Sequence, residues 1–151
     1  MPEVSPEVVN IITKKKQRYC RYTDTNQWHL FTKLALPECT YEFHQNGKLI
    51  EHAGLSCKWT NTEGFIGFVR KAAETLQTIH LAGPGDFEQV SDDEVKAVFP
   101  IIYHSALKPG VPKGTSATGE RGGYYYETFR RTGDDWLMSH VLLDRTYMKD
   151  D

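Results

Sequence analysis

The chain is predicted to fold as an α+β protein, with helices packed on one face of a curved antiparallel sheet. Three observations carry this. Helical patterns crowd the N-terminal half around one early hairpin, and long alternating runs fill the C-terminal half. The last aromatic strand is polar on both faces, as a sheet with one side lining a cavity would be. With 151 residues, 39% apolar and 12% aromatic, the composition supports one sizeable core, so residues 1–151 are read as one domain.

Charge and cysteine usage exclude several classes. Lys and Arg number 18 against 20 Asp and Glu, so the net charge of -2 sets up no one-sign field that would draw nucleic acid or a membrane surface. Cys20, Cys39 and Cys57 are odd in number and lack metal-type spacing, which suits reduced, buried thiols in a reducing compartment. No stretch approaches a transmembrane span and no leader pattern opens the chain, so a cytoplasmic protein is expected.

Ser5 and Pro6 read as an N-cap and a first-turn proline, with Glu7 at the positive helix end, opening a helix to about Thr23. Val8, Val9, Ile12, Tyr19, Cys20 and Thr23 mark its apolar face, and the run Lys14-Lys15-Lys16 reads as a solvated one. Asp24 to Leu34 reads as a second short helix ending before Pro37. Asp24 and Gln27 have the form of its capping box, which needs no catalytic purpose.

Cys39 to Gln45 alternates as a strand, and Asn46-Gly47 is a strong hairpin signal returning through Lys48 to His52. Residues 53–59 read as loop, and Thr60 to Glu63 caps a third helix carrying core residues to Leu76. The runs from Gln77 to Gly83 and from Phe87 to Val95 read as an antiparallel hairpin around a turn-rich acidic patch. His80 stands there beside Ala82 and Gly83, with space before its ring, as where a pocket begins. A satisfied core histidine has the same pattern.

Glu94 to Leu107 is a long strand, in which Pro100 implies an edge or a bulge and leaves the parity beyond it open. Lys108 to Gly119 is a loop by composition. Gly123 to Thr132 and Trp136 to Tyr147 are the last strands. Alternation puts Tyr125, Glu127, Phe129 and Arg131 on one face and Tyr124, Tyr126, Thr128 and Arg130 on the other. The six histidines show no HxH or HExxH spacing, so no metal site is indicated. Gly83-Pro84-Gly85 enters a hairpin rather than a helix, so no phosphate-binding loop is indicated either.

The run Tyr19-Cys20-Arg21-Tyr22-Thr23-Asp24-Thr25-Asn26-Gln27-Trp28 resembles scytalone dehydratase. So do Glu63-Gly64-Phe65, Thr78-Ile79-His80, Val90-Ser91-Asp92-Asp93-Glu94-Val95 and the aromatic-basic strand that turns into Trp136. More broadly, the chain from Gln17 to Arg145 is similar to the SnoaL-like members of the nuclear-transport-factor-two-like, cystatin-like cone superfamily. The resemblance implies a cone-shaped barrel of strongly curved antiparallel sheet, wrapped by about three N-terminal helices, with one pocket at its open end.

The resemblance also implies roles. In scytalone dehydratase a strand histidine is oriented by an aspartate after the first helix, positions matched by His80 and Asp24. A second family histidine falls at or beside His104, with Tyr103 or Ser105 as alternatives. Two carbonyl-activating tyrosines of that family correspond to Thr23 and Phe43, and its serine and asparagine to Gly123 and Tyr125. That departure implies a different substrate.

A carboxylate on one ring nitrogen fixes the tautomer and leaves the other nitrogen as a general base. The expected activity is therefore that of a cofactor-free dehydratase, isomerase or cyclase, acting on a hydrophobic, aromatic or polycyclic intermediate of secondary metabolism. His80, Asp24, His104 and Glu127 are the candidate catalytic residues; in SnoaL-like cyclases an acidic residue at the Glu127 place points into the cone, although a salt bridge accounts for it equally well. Tyr125, Tyr103, Phe43, Trp59 and Thr23 are candidate substrate-binding residues, and Arg131, Asp144 and Arg145 read as sheet or subunit contacts. A homo-oligomer, dimer or trimer, is implied by the family. The alternative is a binding or protein-interaction module on the same fold, without chemistry.

Overall fold

The structure, a computed structural model, describes residues 2–151. Helix α1 (Pro6–Asp24) starts as its sequence dictates, with Ser5 Oγ accepting from the Val8 N–H at 3.3 Å. Its buried face carries Ile12, Tyr19, Cys20 and Tyr22, and also Lys15 and Lys16. Of the lysine run only Lys14 is on a solvated face; Lys15 and Lys16 are not. Lys15 Nζ donates to the Lys33 carbonyl and to Asp135 Oδ2, both at 2.8 Å, and Lys16 Nζ to Glu127 Oε2 at 2.7 Å.

Asp24 ends α1 rather than capping a second α-helix. The next element is a 3₁₀ helix (Trp28–Lys33) that drops Trp28 and Phe31 into the core. Asn26 takes the left-handed turn between the two helices at φ 58°, and Gln27 Nε2 donates to Thr25 Oγ1 at 2.7 Å, so the expected capping box does not form.

Strand β1 (Ala35–Gln45) begins earlier than its alternation suggests, with irregular pairing across Pro37. Asn46 and Gly47, both at positive φ, turn it into β2 (Lys48–Leu49) as an Asn-Gly hairpin should. The stretch expected to be loop contributes short strands instead. β3 (Glu51–His52) and β4 (Leu55–Ser56) form a small hairpin, and β5 (Lys58–Trp59) returns to β1.

Helix α2 (Thr62–Ala72) is capped by Asn61, whose Oδ1 accepts from the Gly64 N–H at 2.7 Å, and it stops short of Leu76. It docks through Phe65, stacked on Tyr41 of β1 with ring centres 4.0 Å apart, and through Thr62, hydrogen-bonded to the Tyr41 hydroxyl at 2.9 Å.

Strands β6 (Leu76–Ala82) and β7 (Asp86–Ser91) do not pair with each other. Both lie against β8 (Glu94–Leu107), end to end, and the hairpin joins β7 to β8 through Asp92 and Asp93. Pro100 falls in the gap between them, after β7 stops pairing at Val98 and before β6 starts at Ile101, where its missing N–H costs no ladder bond. Parity therefore runs through Pro100 unbroken: Phe99, Ile101 and Tyr103 are buried, and Ile102 and His104 face out.

β9 (Gly119–Thr132) and β10 (Asp135–Asp150) complete a sheet ordered β2-β1-β10-β9-β8-β6, with β5 also on β1 and β7 also on β8. The β1–β10 pair is parallel and the remaining pairs are antiparallel. The sheet is curved and open rather than a closed barrel. α1, the 3₁₀ helix and α2 cover its concave face.

Candidate functional site

Between the helices and the concave face lies a cavity of about 340 Å³, closed above by Tyr19, Thr23 and Asp24 of α1 and by Phe65 and Val69 of α2. Alternation on β6 turns Thr78 and His80 inward and Ile79 and Leu81 outward. Thr78 and His80 meet Asp24. His80 Nδ1 stands 2.6 Å from Asp24 Oδ1, the His80 backbone N–H donates to Asp24 Oδ2 at 2.8 Å, and the Thr78 hydroxyl donates to Asp24 Oδ1 at 2.9 Å.

A carboxylate on the last residue of a helix opposes the helix dipole, which favours cations there. Three donors from one strand hold it in place nonetheless. With Asp24 accepting at Nδ1, the proton resides on that nitrogen, and Nε2 is left without a protein partner among the described residues. The His80 ring stacks on Tyr103, with centres 4.8 Å apart and planes 14° from parallel, so its orientation is fixed from two sides.

The other expected residues separate into two groups. Thr23, Phe43, Tyr103 and Tyr125 line the cavity. Burial raises the Tyr103 and Tyr125 phenols, which keeps both hydroxyls protonated. Trp59 does not reach the cavity. It backs the wall instead, packed on Phe43 and Phe65 at 5.3 Å and on Phe68 at 4.7 Å.

His104 points to the outer face, 53% exposed, with Nδ1 3.8 Å from Glu120 Oε1; Tyr103 and Ser105, its neighbours of opposite parity, face the cavity. Glu127 does face inward, but below the cavity floor. It is 2% exposed and bound to Lys16, whose Nζ sits 3.1 Å from the centre of the Tyr125 ring and 4.1 Å from that of Tyr19. Those two rings separate it from any ligand above.

Residues missed from the sequence are Thr78, Arg121 and Arg145. Thr78 shares the His80 face two residues earlier, a signal that strand periodicity carries. Arg145 follows Val141 and Leu143 in the inward series of β10, so its parity, not its charge, gives its place. Arg131 and Asp144, by contrast, are surface contacts, bound to Asp93 and to the Gly47 N–H respectively. The three cysteines are free and buried, and burial pushes the Cys39 thiol up to about 12. Among the described residues, no three His, Cys, Asp or Glu side chains converge as metal ligands would.

A bent sheet roofed by helices over one apolar pocket is the cone architecture, and the chain belongs to the SnoaL-like domain family, which matches residues 7–141. It is 39% identical to the "Probable cyclase FGR4" of Gibberella zeae over 147 residues, covering 97% of this chain and 96% of that one. Among solved structures, it superposes on a "Putative Scytalone Dehydratase" from Novosphingobium aromaticivorans with a TM-score of 0.74 at 15% identity, covering 94% of this chain and 86% of that one. The hexachlorocyclohexane dehydrochlorinase LinA-type3 from Novosphingobium barchaimii gives 0.71 at 14%, covering 96% and 88%. At these identities the structures show a shared fold.

Proposed function

We propose that the cavity is the active site of a cofactor-independent acid–base enzyme, with His80 as general base and Asp24 as its orienting partner. The observation that carries this reading is the 2.6 Å contact between them at the edge of an apolar pocket, with Nε2 unpartnered. The substrate is a hydrophobic aromatic or polycyclic intermediate of natural-product biosynthesis. The 39% identity to a protein named a probable cyclase supports the enzyme reading.

Nε2 takes a proton from carbon α to a carbonyl, and the electron pair of that C–H bond moves onto the carbonyl oxygen as an enolate. The imidazolium then returns the proton to another carbon, giving isomerisation, or protonates the alkoxide left when the enolate carbon has attacked a second carbonyl carbon and formed a C–C bond, giving cyclisation, or protonates a departing β-hydroxyl as the enolate electrons form the C=C bond, giving dehydration. Tyr103 is a neutral donor beside the base. The test is incubation with aromatic polyketide-type β-dicarbonyl compounds in D₂O with chelator present. The wild type should accelerate product formation or α-deuteration above the enzyme-free rate and His80→Gln should not; equal acceleration by both would remove His80 from the mechanism.

The enzyme is further proposed to work as a cytoplasmic homo-oligomer. Ile79, Leu81 and Ile102 on adjoining strands, with Tyr124 and Tyr126 beside them, leave an apolar face exposed on the convex side, with Leu81 73% exposed. Sedimentation of the wild type should give a dimer or trimer, and Leu81→Asp should shift it towards monomer. A monomeric wild type would refute the assembly.

A further inference from the structure

The cavity that receives the base also carries a positive charge, on Arg145, that no acidic side chain among the described residues pairs with. Arg121 and Arg145 both line it, but they differ. Arg121 is bound to Asp150 Oδ1 at 2.7 Å and to two backbone carbonyls. Arg145 has no acidic partner among the described residues, and its Nε is buried without any hydrogen bond. A buried guanidinium donor left unmade is costly unless something else satisfies it.

Its position is built by the sheet. The β9–β10 register slips between Arg145 and Tyr147, and such a slip re-aims a side chain. Opposite it stands Gly123, where a Cβ would run into the Asp144 carbonyl, so only glycine lets β10 approach this closely. The guanidinium carbon then lies 5.6 Å from the centre of the Phe43 ring and 5.9 Å from that of Tyr103, whose other neighbour is His80. Base and cation thus flank one aromatic ring inside one apolar chamber. The acidic group facing the same space is Asp24, already engaged by three donors.

We propose that Arg145 is the subsite for a carboxylate of the substrate, held beside the carbonyl whose oxygen becomes an enolate when His80 removes the proton, so that the enzyme acts on acidic aromatic carbonyl compounds rather than on neutral hydrophobic ones. This deepens the acid–base reading of the cavity and rests on it. An arginine in apolar surroundings binds a carboxylate through charge-assisted N–H bonds of about twice the strength of neutral ones. Charge forming on the enolate oxygen beside it during proton removal is stabilised by the same cation.

The test uses the full-length protein and two isosteric probes, 2-naphthoate and neutral 2-naphthamide, titrated calorimetrically near neutral pH. The wild type should bind 2-naphthoate about tenfold or more tightly than the amide. Arg145→Gln should erase that preference and His80→Gln should keep it. Equal binding of the two probes, no binding of 2-naphthoate, or a preference that persists in Arg145→Gln overturns the proposal. Phenylglyoxal labelling of the wild type, read by peptide mass, needs no variant that folds: 2-naphthoate should shield Arg145 and the amide should not, and equal labelling overturns the subsite. A preference that coexists with a fully active His80→Gln upholds the anion subsite while removing the base. Loss of the preference beside an inactive His80→Gln does the reverse.

Discussion

His80→Gln should lower turnover by about 10² to 10⁴, the range of a single general base, with the fold intact. Glutamine approximates the length of histidine and its amide can still donate to Asp24 in place of Nδ1–H, so the α1–β6 contact keeps a hydrogen bond. The backbone N–H of residue 80 still donates to Oδ2, and Thr78 to Oδ1. What glutamine lacks is a nitrogen that can take a proton at the place of Nε2. The readout is turnover beside a thermal melt: full activity in the variant would end the acid–base assignment, whereas inactivity with a collapsed melt would trace the loss to folding instead.

Lys16→Met should destabilise the protein by about 3 to 5 kcal/mol, because it leaves the Glu127 carboxylate buried without its cation. The pair is sealed, with side chains 1% and 0% exposed, and the second oxygen of Glu127 has no partner. In water an exposed pair of this kind contributes little, but here the desolvation has already been incurred and only the partner offsets it. The ammonium also rests on the Tyr125 and Tyr19 rings, which the thioether of methionine replaces with packing alone. For a chain of this size the loss corresponds to a melting temperature lower by roughly 10 °C. Adding Glu127→Gln should recover much of it. A single variant as stable as the wild type would mean that the pair carries no net stabilisation.

The elements written in short-range chemistry were legible: the Ser5-Pro6 helix start, the Asn46-Gly47 hairpin, the cap within Thr60 to Glu63 and the alternation of β9 all form where their residues ask for them. What failed depended on partners far along the chain. Lys15 and Lys16 look like surface in any local window, and it is their carboxylate partners Asp135 and Glu127, more than a hundred residues away, that offset the burial of their charges.

His104 becomes a candidate because the resemblance places a family histidine at or beside it, and Pro100 leaves the parity of β8 open in the sequence. The gap between β6 and β7 absorbs the missing N–H without a bulge, so Tyr103 and Ser105 take the inward places. The pairing of Asp24 with His80, 56 residues apart, lies outside any local window. The family resemblance brings those two residues together, while capping chemistry argues for a different use of Asp24. Arg145 reads as a sheet or subunit contact in the sequence, and simple alternation from Trp136 would turn it outward; the register shift between Met138 and His140 inverts the parity and brings Val141, Leu143 and Arg145 inward.

Every side-chain hydrogen bond found between α1 and β6 ends on Asp24. The carboxylate that holds the His80 ring is also what fastens the helix to the edge of the sheet. Substitutions at this position therefore cannot exchange robustness for speed, since loosening the one loosens the other. Within descendants of this sequence, changes of ligand would arise in the chamber walls, while the anchor under His80 stays fixed.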